Sequence, residues 1–169
     1  AYNYKGEEMD FIQSDANSWV IPNATELDKI SYLANDTFDV EHTEGVTAPF
    51  SPSGTNIDED NFVLNLPGFI GYFDSFEHNQ YKLDVTSKTA FNSSSALQQT
   101  GVAFSKDSLS MTTNYFAPRY FDITDNPMMY GDFEVEEFQV GDIKVVLSVY
   151  SPNKVHSAKD LKETIYEMM

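Results

Sequence analysis

Apolar residues in this chain recur in short runs, separated by polar stretches that carry glycine or proline, and the period of the runs changes along the sequence. In "YKLDVT", residues 81–86, Tyr81, Leu83 and Val85 occupy every second position, the period of a strand with one buried face. Further short runs gather around Phe104, Leu109 to Met111 and Tyr115 to Phe121, with the polar stretch "FNSSSALQQTG", residues 91–101, read as a spacer. Repeated short strands with turn signals between them predict a mainly β fold, an antiparallel β-sandwich or partly open barrel.

The most strongly specified local element is "FEVEEFQVGDIKVVLSVY", residues 133–150. Gly141-Asp142 is the kind of two-residue connection that closes a tight hairpin, placing Val140 opposite Ile143 and Phe138 opposite Val145. Phe133 and Val135 then fall out of phase by one, and a bulge at Glu136-Glu137 opposite Val146 would return them to the apolar face, Val135 to Leu147 and Phe133 to Val149. A helix is expected to follow Pro152. Ser157 and Asp160 stand at capping distance, and Leu161, Ile165 and Met168 recur at helical spacing. Met168 and Met169 leave apolar residues where a helix normally frays, which points to docking against a neighbour.

The first 61 residues read as an irregular acidic arm, with residues 62–169 as the β-rich domain. One short helix is predicted in the arm, with Asn23 and Glu26 at the capping-box spacing and Leu27, Ile30 and Ala34 on one face. Residues 36–61, broken by "GVTAPFSPSG", read as an extended arm or long loop.

Charge narrows the choice of partner. The net charge is −17, and residues 1–84 hold 16 acids against three lysines. Such a surface repels phosphate backbones and anionic membranes, so protein subunits are the expected partners rather than nucleic acid or membrane. The absence of cysteine removes disulfides, thiol nucleophiles and thiolate metal sites. No signal peptide is expected from the polar and acidic opening residues, and the apolar run Phe62–Phe73 is too short to span a membrane.

Candidate chemistry is sparse. Asn56, Asp58 and Asp60 alternate like the start of a calcium loop, a cation that takes several oxygen ligands. The sixth and twelfth positions are Asn61 and Pro67 rather than glycine and glutamate, so the stretch reads first as a solvated acidic turn before a buried strand, with calcium as the alternative. His42, His78 and His156 lie far apart, and no nucleophile elbow, phosphate loop or dinucleotide fingerprint is present. No catalytic residue and no cofactor is nominated, and the chain is expected not to be an enzyme. Arg119, the only arginine, lies among aromatic residues in "NYFAPRYF"; guanidinium stacks on rings and forks carboxylates. Arg119, Tyr120 and Phe121, with Met168 and Met169, form the expected interface set, an internal contact for Arg119 being the alternative.

Residues 119–152, "RYFDITDNPMMYGDFEVEEFQVGDIKVVLSVYSP", resemble a stretch in structural proteins of contractile-tailed phages, where an Arg-Tyr pair opens a strand and an acid-Ile-Lys-Val strand ends in Tyr-x-Pro. The resemblance implies a non-enzymatic virion subunit of a neck, tail or baseplate, assembled in the host cytoplasm as an oligomer. The alternative function is an extracellular carbohydrate-binding β-sandwich with a structural calcium, using Trp19 or exposed tyrosines as stacking platforms.

Overall fold

The structure, a computed structural model, describes residue 3 and residues 5–15, 18–25, 28–32, 55–88 and 91–168. The chain forms two compact units, Ala1–Asn35 and Asp36–Met169. In the first, β1 (Ile12–Gln13) and β2 (Trp19–Val20) make a short antiparallel ribbon, Ile12 opposite Val20 and Gln13 opposite Trp19, with all four side chains exposed.

The helix expected after Asn23 does not form in the described residues, since 28–32 are not helical. Asn23 has φ +60°, a left-handed conformation where an N-cap needs extended backbone. The Thr25 N–H donates to Asp28 Oδ2 at 2.7 Å, a side-chain turn that competes with helix. Ile30, meant for the apolar face, is exposed. Glu26, Leu27 and Ala34 lie outside the described residues, as do positions 36–54 of the expected arm.

The second unit runs β3 (Asn56–Ile57), β4 (Asn61–Leu64), a 3-10 turn at Leu66–Gly68, β5 (Tyr81–Lys88), β6 (Asn92–Ser95), β7 (Gln98–Phe104), β8 (Ser110–Ala117), α1 (Tyr120–Thr124), β9 (Met128–Gly131), β10 (Glu134–Val140), β11 (Ile143–Val149) and α2 (Ala158–Met168). Two antiparallel sheets, ordered β3-β4-β9-β6 and β5-β8-β7, and the separate hairpin β10-β11 carry these strands. The fold is mainly β and antiparallel, with a C-terminal helix, and it is not a closed barrel.

Alternation explains which faces are inside. Along β8 the buried residues are Met111, Thr113, Tyr115 and Ala117, and their neighbours are half-buried. On β5, Leu83 is buried, and Tyr81 and Val85 pack against the core, as their spacing predicted. From the other sheet β9 contributes Met128 and Tyr130, 1% and 0% exposed. Ile123 of α1 and Leu66 of the 3-10 turn close the same cluster. Pro67 therefore stands in a tight turn, where its fixed φ fits and its missing N–H costs nothing.

The polar stretch 91–101 is not a spacer: it forms β6 and the start of β7. Among the described residues β6 is an edge strand of its sheet, paired to β9, and a serine-rich strand is tolerated there because an edge can keep a polar face. Ser94 Oγ donates to Ser148 Oγ at 2.9 Å, which ties β6 to β11.

The 133–150 hairpin forms with the expected turn, Gly141 at φ +58°, and with Val140 opposite Ile143 and Phe138 opposite Val145. The expected bulge is absent. Register continues without a break, Glu136 opposite Leu147 and Val135 opposite Ser148. The reason lies in α2. Glu134 Oε2 accepts the Ala158 N–H at 2.9 Å, Glu136 Oε2 pairs with Lys162 Nζ at 2.8 Å, and Phe138 meets Tyr166 edge-on with ring centroids 6.0 Å apart. These alternate residues share one face, and the two carboxylates are wanted on it because the helix lies there. Ser157 Oγ accepts the Asp160 N–H at 3.1 Å, the capping contact read from the sequence. Removing the second acceptor by Glu134→Ala is expected to cost about 1 kcal/mol. Amide exchange over 158–162 should accelerate while the hairpin stays protected; unchanged exchange would show that this carboxylate does not hold α2.

Candidate interaction surface

Residues 69–80 leave the 3-10 turn and fold over α1. Chain reversal is made by Ser75 at φ +73° inside a turn closed by Phe76 N–H to Phe73 O at 2.9 Å, and a second turn follows, Asn79 N–H to Phe76 O at 2.9 Å. Tyr120 holds both ends of this loop. Its N–H donates to Glu77 O at 2.9 Å and its hydroxyl to Ile70 O at 2.5 Å. Its ring packs between Tyr72, at 5.0 Å, and Tyr81, at 6.0 Å. Tyr81 completes the clasp by donating its hydroxyl to Phe76 O at 3.0 Å.

A rigid base therefore carries exposed rings. Tyr72, Phe73 and Phe76 are 53%, 57% and 44% exposed, and Phe121 on the neighbouring α1 is 60% exposed. Asp74, Glu77, Asp122 and Asp125 lie in the same two segments and give the aromatic surface an acidic character. Burial, with the Glu77 carboxylate beside it, pushes the Tyr81 phenol up. Glu77 Oε2 is buried without a hydrogen-bond partner.

Of the interface residues read from the sequence, three fall here and take different parts. Arg119 forks Asp122 through Nε and Nη2, both at 3.0 Å, and lies 5.6 Å from the centroid of Phe121. Its first charge partner is thus internal, and that pairing holds the Asp122 carboxyl below the usual carboxylate range. Tyr120 is the half-buried post, and only Phe121 is offered to solvent. Tyr72, Phe73 and Phe76 were missed; their signal was three aromatics within five residues after a Pro-Gly turn. Met168 is 81% exposed at the end of α2, and Met169 lies outside the described residues.

Asn56 opens β3, and Asp58 and Asp60 lie in the connection between β3 and β4. Asn56 Nδ2 donates to Asp58 Oδ2 at 2.7 Å, and Asp58 N–H donates to Asn61 O at 2.9 Å. These contacts satisfy the turn internally, and Asp58 and Asp60 are exposed. The 84% exposed His78 is 4.0 Å from Glu77, His156 is exposed and His42 lies outside the described residues. Among the described residues no group of three or more His, Asp or Glu side chains stands close enough to hold a metal ion. No helix among them is long and apolar enough to cross a membrane.

Residues 1–132 match the family described as Peptidase M61 N-terminal domain, which spans both units through β9. The chain belongs to this family. The M61 N-terminal domain assignment leaves only the β10-β11 hairpin and α2 outside the match. Comparison with curated proteins and with solved structures returns no match.

The assignment overturns the phage reading, and with it the virion subunit of a neck, tail or baseplate. The carbohydrate-binding alternative gains nothing from it. The phage resemblance rested on residues 119–152, most of which lie beyond the matched segment. Its opening feature also fails in the M61 N-terminal domain, because Arg119-Tyr120 starts α1 and not a strand. What remained was the alternation of an antiparallel hairpin, which any two-stranded unit with one covered face must show.

Proposed function

We propose that this chain is an accessory, non-catalytic domain of a peptidase, a β scaffold that packs against protein. The observation that carries this reading is the family match over 132 of 169 residues to a domain defined as the N-terminal part of a peptidase. The aromatic surface supports it, because rings held on a stapled loop lose little entropy on docking and bury large area. Its partner is the peptidase domain. The acidic surface, net −17 for the chain, favours a partner face with a basic rim, and association should weaken as salt rises.

Two measurements test the reading. Purified chain mixed with a panel of fluorogenic peptides should give no turnover; turnover that follows the folded chain through purification would sink it. In trans, the double variant Phe73→Ser, Phe76→Ser should keep its melting temperature, since both rings are exposed, and bind an M61-type peptidase domain at least about tenfold more weakly. Equal affinity would remove the aromatic loop from the interface.

A further inference from the structure

The sheet β5-β8-β7 ends on an edge without the usual guards. β7 pairs with β8 on one side only, and among the described residues no strand lies on its other side. Six of its seven residues are exposed, and residues 89–105 contain no charged side chain in a chain of net −17. The opposite edge, β5, is guarded by Lys82, Asp84 and Lys88. The other large sheet ends on the two-residue β3 and the four-residue β6. Long, uncharged edges invite strand pairing, and folds normally blunt them with lysine, proline or bulges. β7 has one bulge, between Gln99 and Gly101, which leaves Gly101 to Phe104 regular.

Among the described residues, nothing covers the inner face at this edge either. Val102 lies opposite Thr113 and Phe104 opposite Met111, and opposite residues share a face. Thr113 and Met111 are 0% and 5% exposed, whereas Val102 and Phe104 are 43% and 62% exposed. The second sheet therefore stops short of β7, leaving an apolar shelf beside a row of backbone donors and acceptors. Leu109, within the Ser105–Ser110 turn that follows β7, is 69% exposed.

Backbone groups in a row specify one kind of ligand, an extended polypeptide. We infer that the β7 edge, from Gly101 to Phe104, binds an extended polypeptide segment by strand addition, with alternate apolar side chains resting on Val102 and Phe104, and serves as a docking site for polypeptide substrate. This rests on the accessory-domain reading, which makes polypeptide the material handled. Strand addition takes affinity from main-chain hydrogen bonds and selectivity from alternate side chains, so the segment is extended, apolar at every second residue and, given the acidic surface, flanked by basic residues.

The probe is a short peptide alternating valine and threonine with arginine at each end, titrated into the whole chain and followed by amide NMR shifts and exchange. Shifts and protection should concentrate in residues 98–104. A copy N-methylated at alternate backbone nitrogens should bind at least about tenfold more weakly, as should the original peptide to the double variant Val102→Lys, Phe104→Lys, whose substitutions fall on exposed positions. Equal binding of the N-methylated copy would overturn the inference in favour of plain apolar adhesion. Shifts centred elsewhere, or concentration-dependent dimers that protect β7 without peptide, would overturn it too. In an intact M61-type peptidase carrying the double variant, KM for long polypeptides should rise about tenfold while KM for a dipeptide-sized substrate stays unchanged. The titration reads out without any peptidase domain, so a failed edge with intact domain association removes this inference alone, whereas peptide binding at the edge without domain association removes the accessory-domain reading, and with it the substrate role, and leaves polypeptide binding at β7.

Discussion

Replacing Tyr130 by alanine is expected to unfold the β domain, or to leave it with a small fraction of its stability. Tyr130 is fully buried in the middle of β9, which pairs with β4 on one side and β6 on the other. Truncating a buried aromatic costs about 3–5 kcal/mol through lost burial and the cavity left behind, against a total stability of about 5–15 kcal/mol for a domain. Chemical denaturation of Tyr130→Ala should shift the midpoint accordingly; a loss below about 1 kcal/mol would mean that the site is not the centre of the core.

The phenol adds a pH dependence. Burial, then the hydrogen bond with Tyr115 OH at 3.3 Å, push the Tyr130 phenol far above its ordinary value. The neutral phenol is thus the form the fold keeps. Below about pH 10 both folded and unfolded phenols are protonated and the contribution is constant. Above it the unfolded chain loses a proton that the folded chain retains, so stability falls with rising pH, by at most about 1.4 kcal/mol per pH unit for this one proton. Tyr130→Phe should flatten that alkaline slope. It also leaves the Tyr115 hydroxyl without this partner, at about 1 kcal/mol. An unchanged slope would assign the alkaline loss to other groups.

Gly131→Ala is the second large effect. Gly131 ends β9 opposite both Asn61 and Asn92. A Cβ there would stand 2.9 Å from Asn61 Oδ1 and 3.1 Å from the Asp60 carbonyl. Asn61 is 3% exposed and cannot swing away, and the carbonyl is backbone. Relief must come from parting β4 and β9, and such overpacking costs about 1–3 kcal/mol. Thermal melts of Gly131→Ala, beside Gly71→Ala where the added methyl meets nothing within 4 Å, separate the close approach from a general glycine effect. Equal melting temperatures would refute the clash.

The phage resemblance misled because it drew on the part of the chain where alternation is strongest. Alternation reports a half-buried face and nothing about its owner. The informative residues lay upstream, in the 132-residue segment that carries the family match.

Signals a few residues long were legible in the sequence: the alternation of Tyr81, Leu83 and Val85, the Gly141-Asp142 turn, the Ser157 cap and the mainly β class. Each depends on backbone geometry that neighbouring side chains set by themselves. Whatever needed a distant partner was decided by the tertiary structure. Nothing local marks residues 92–95 as a strand; β9 makes them one by offering its free side. Phe133 and Val135 looked out of phase until α2 supplied an amide for Glu134 and an ammonium for Glu136, which take the covered face in their place. The loop 69–80 reads as unspecified until Tyr120, from far along the chain, staples it and turns its rings outward. Among the described residues Val102 and Phe104 stay uncovered because the facing sheet ends before β7, a matter of how two sheets overlap and not of any residue in β7.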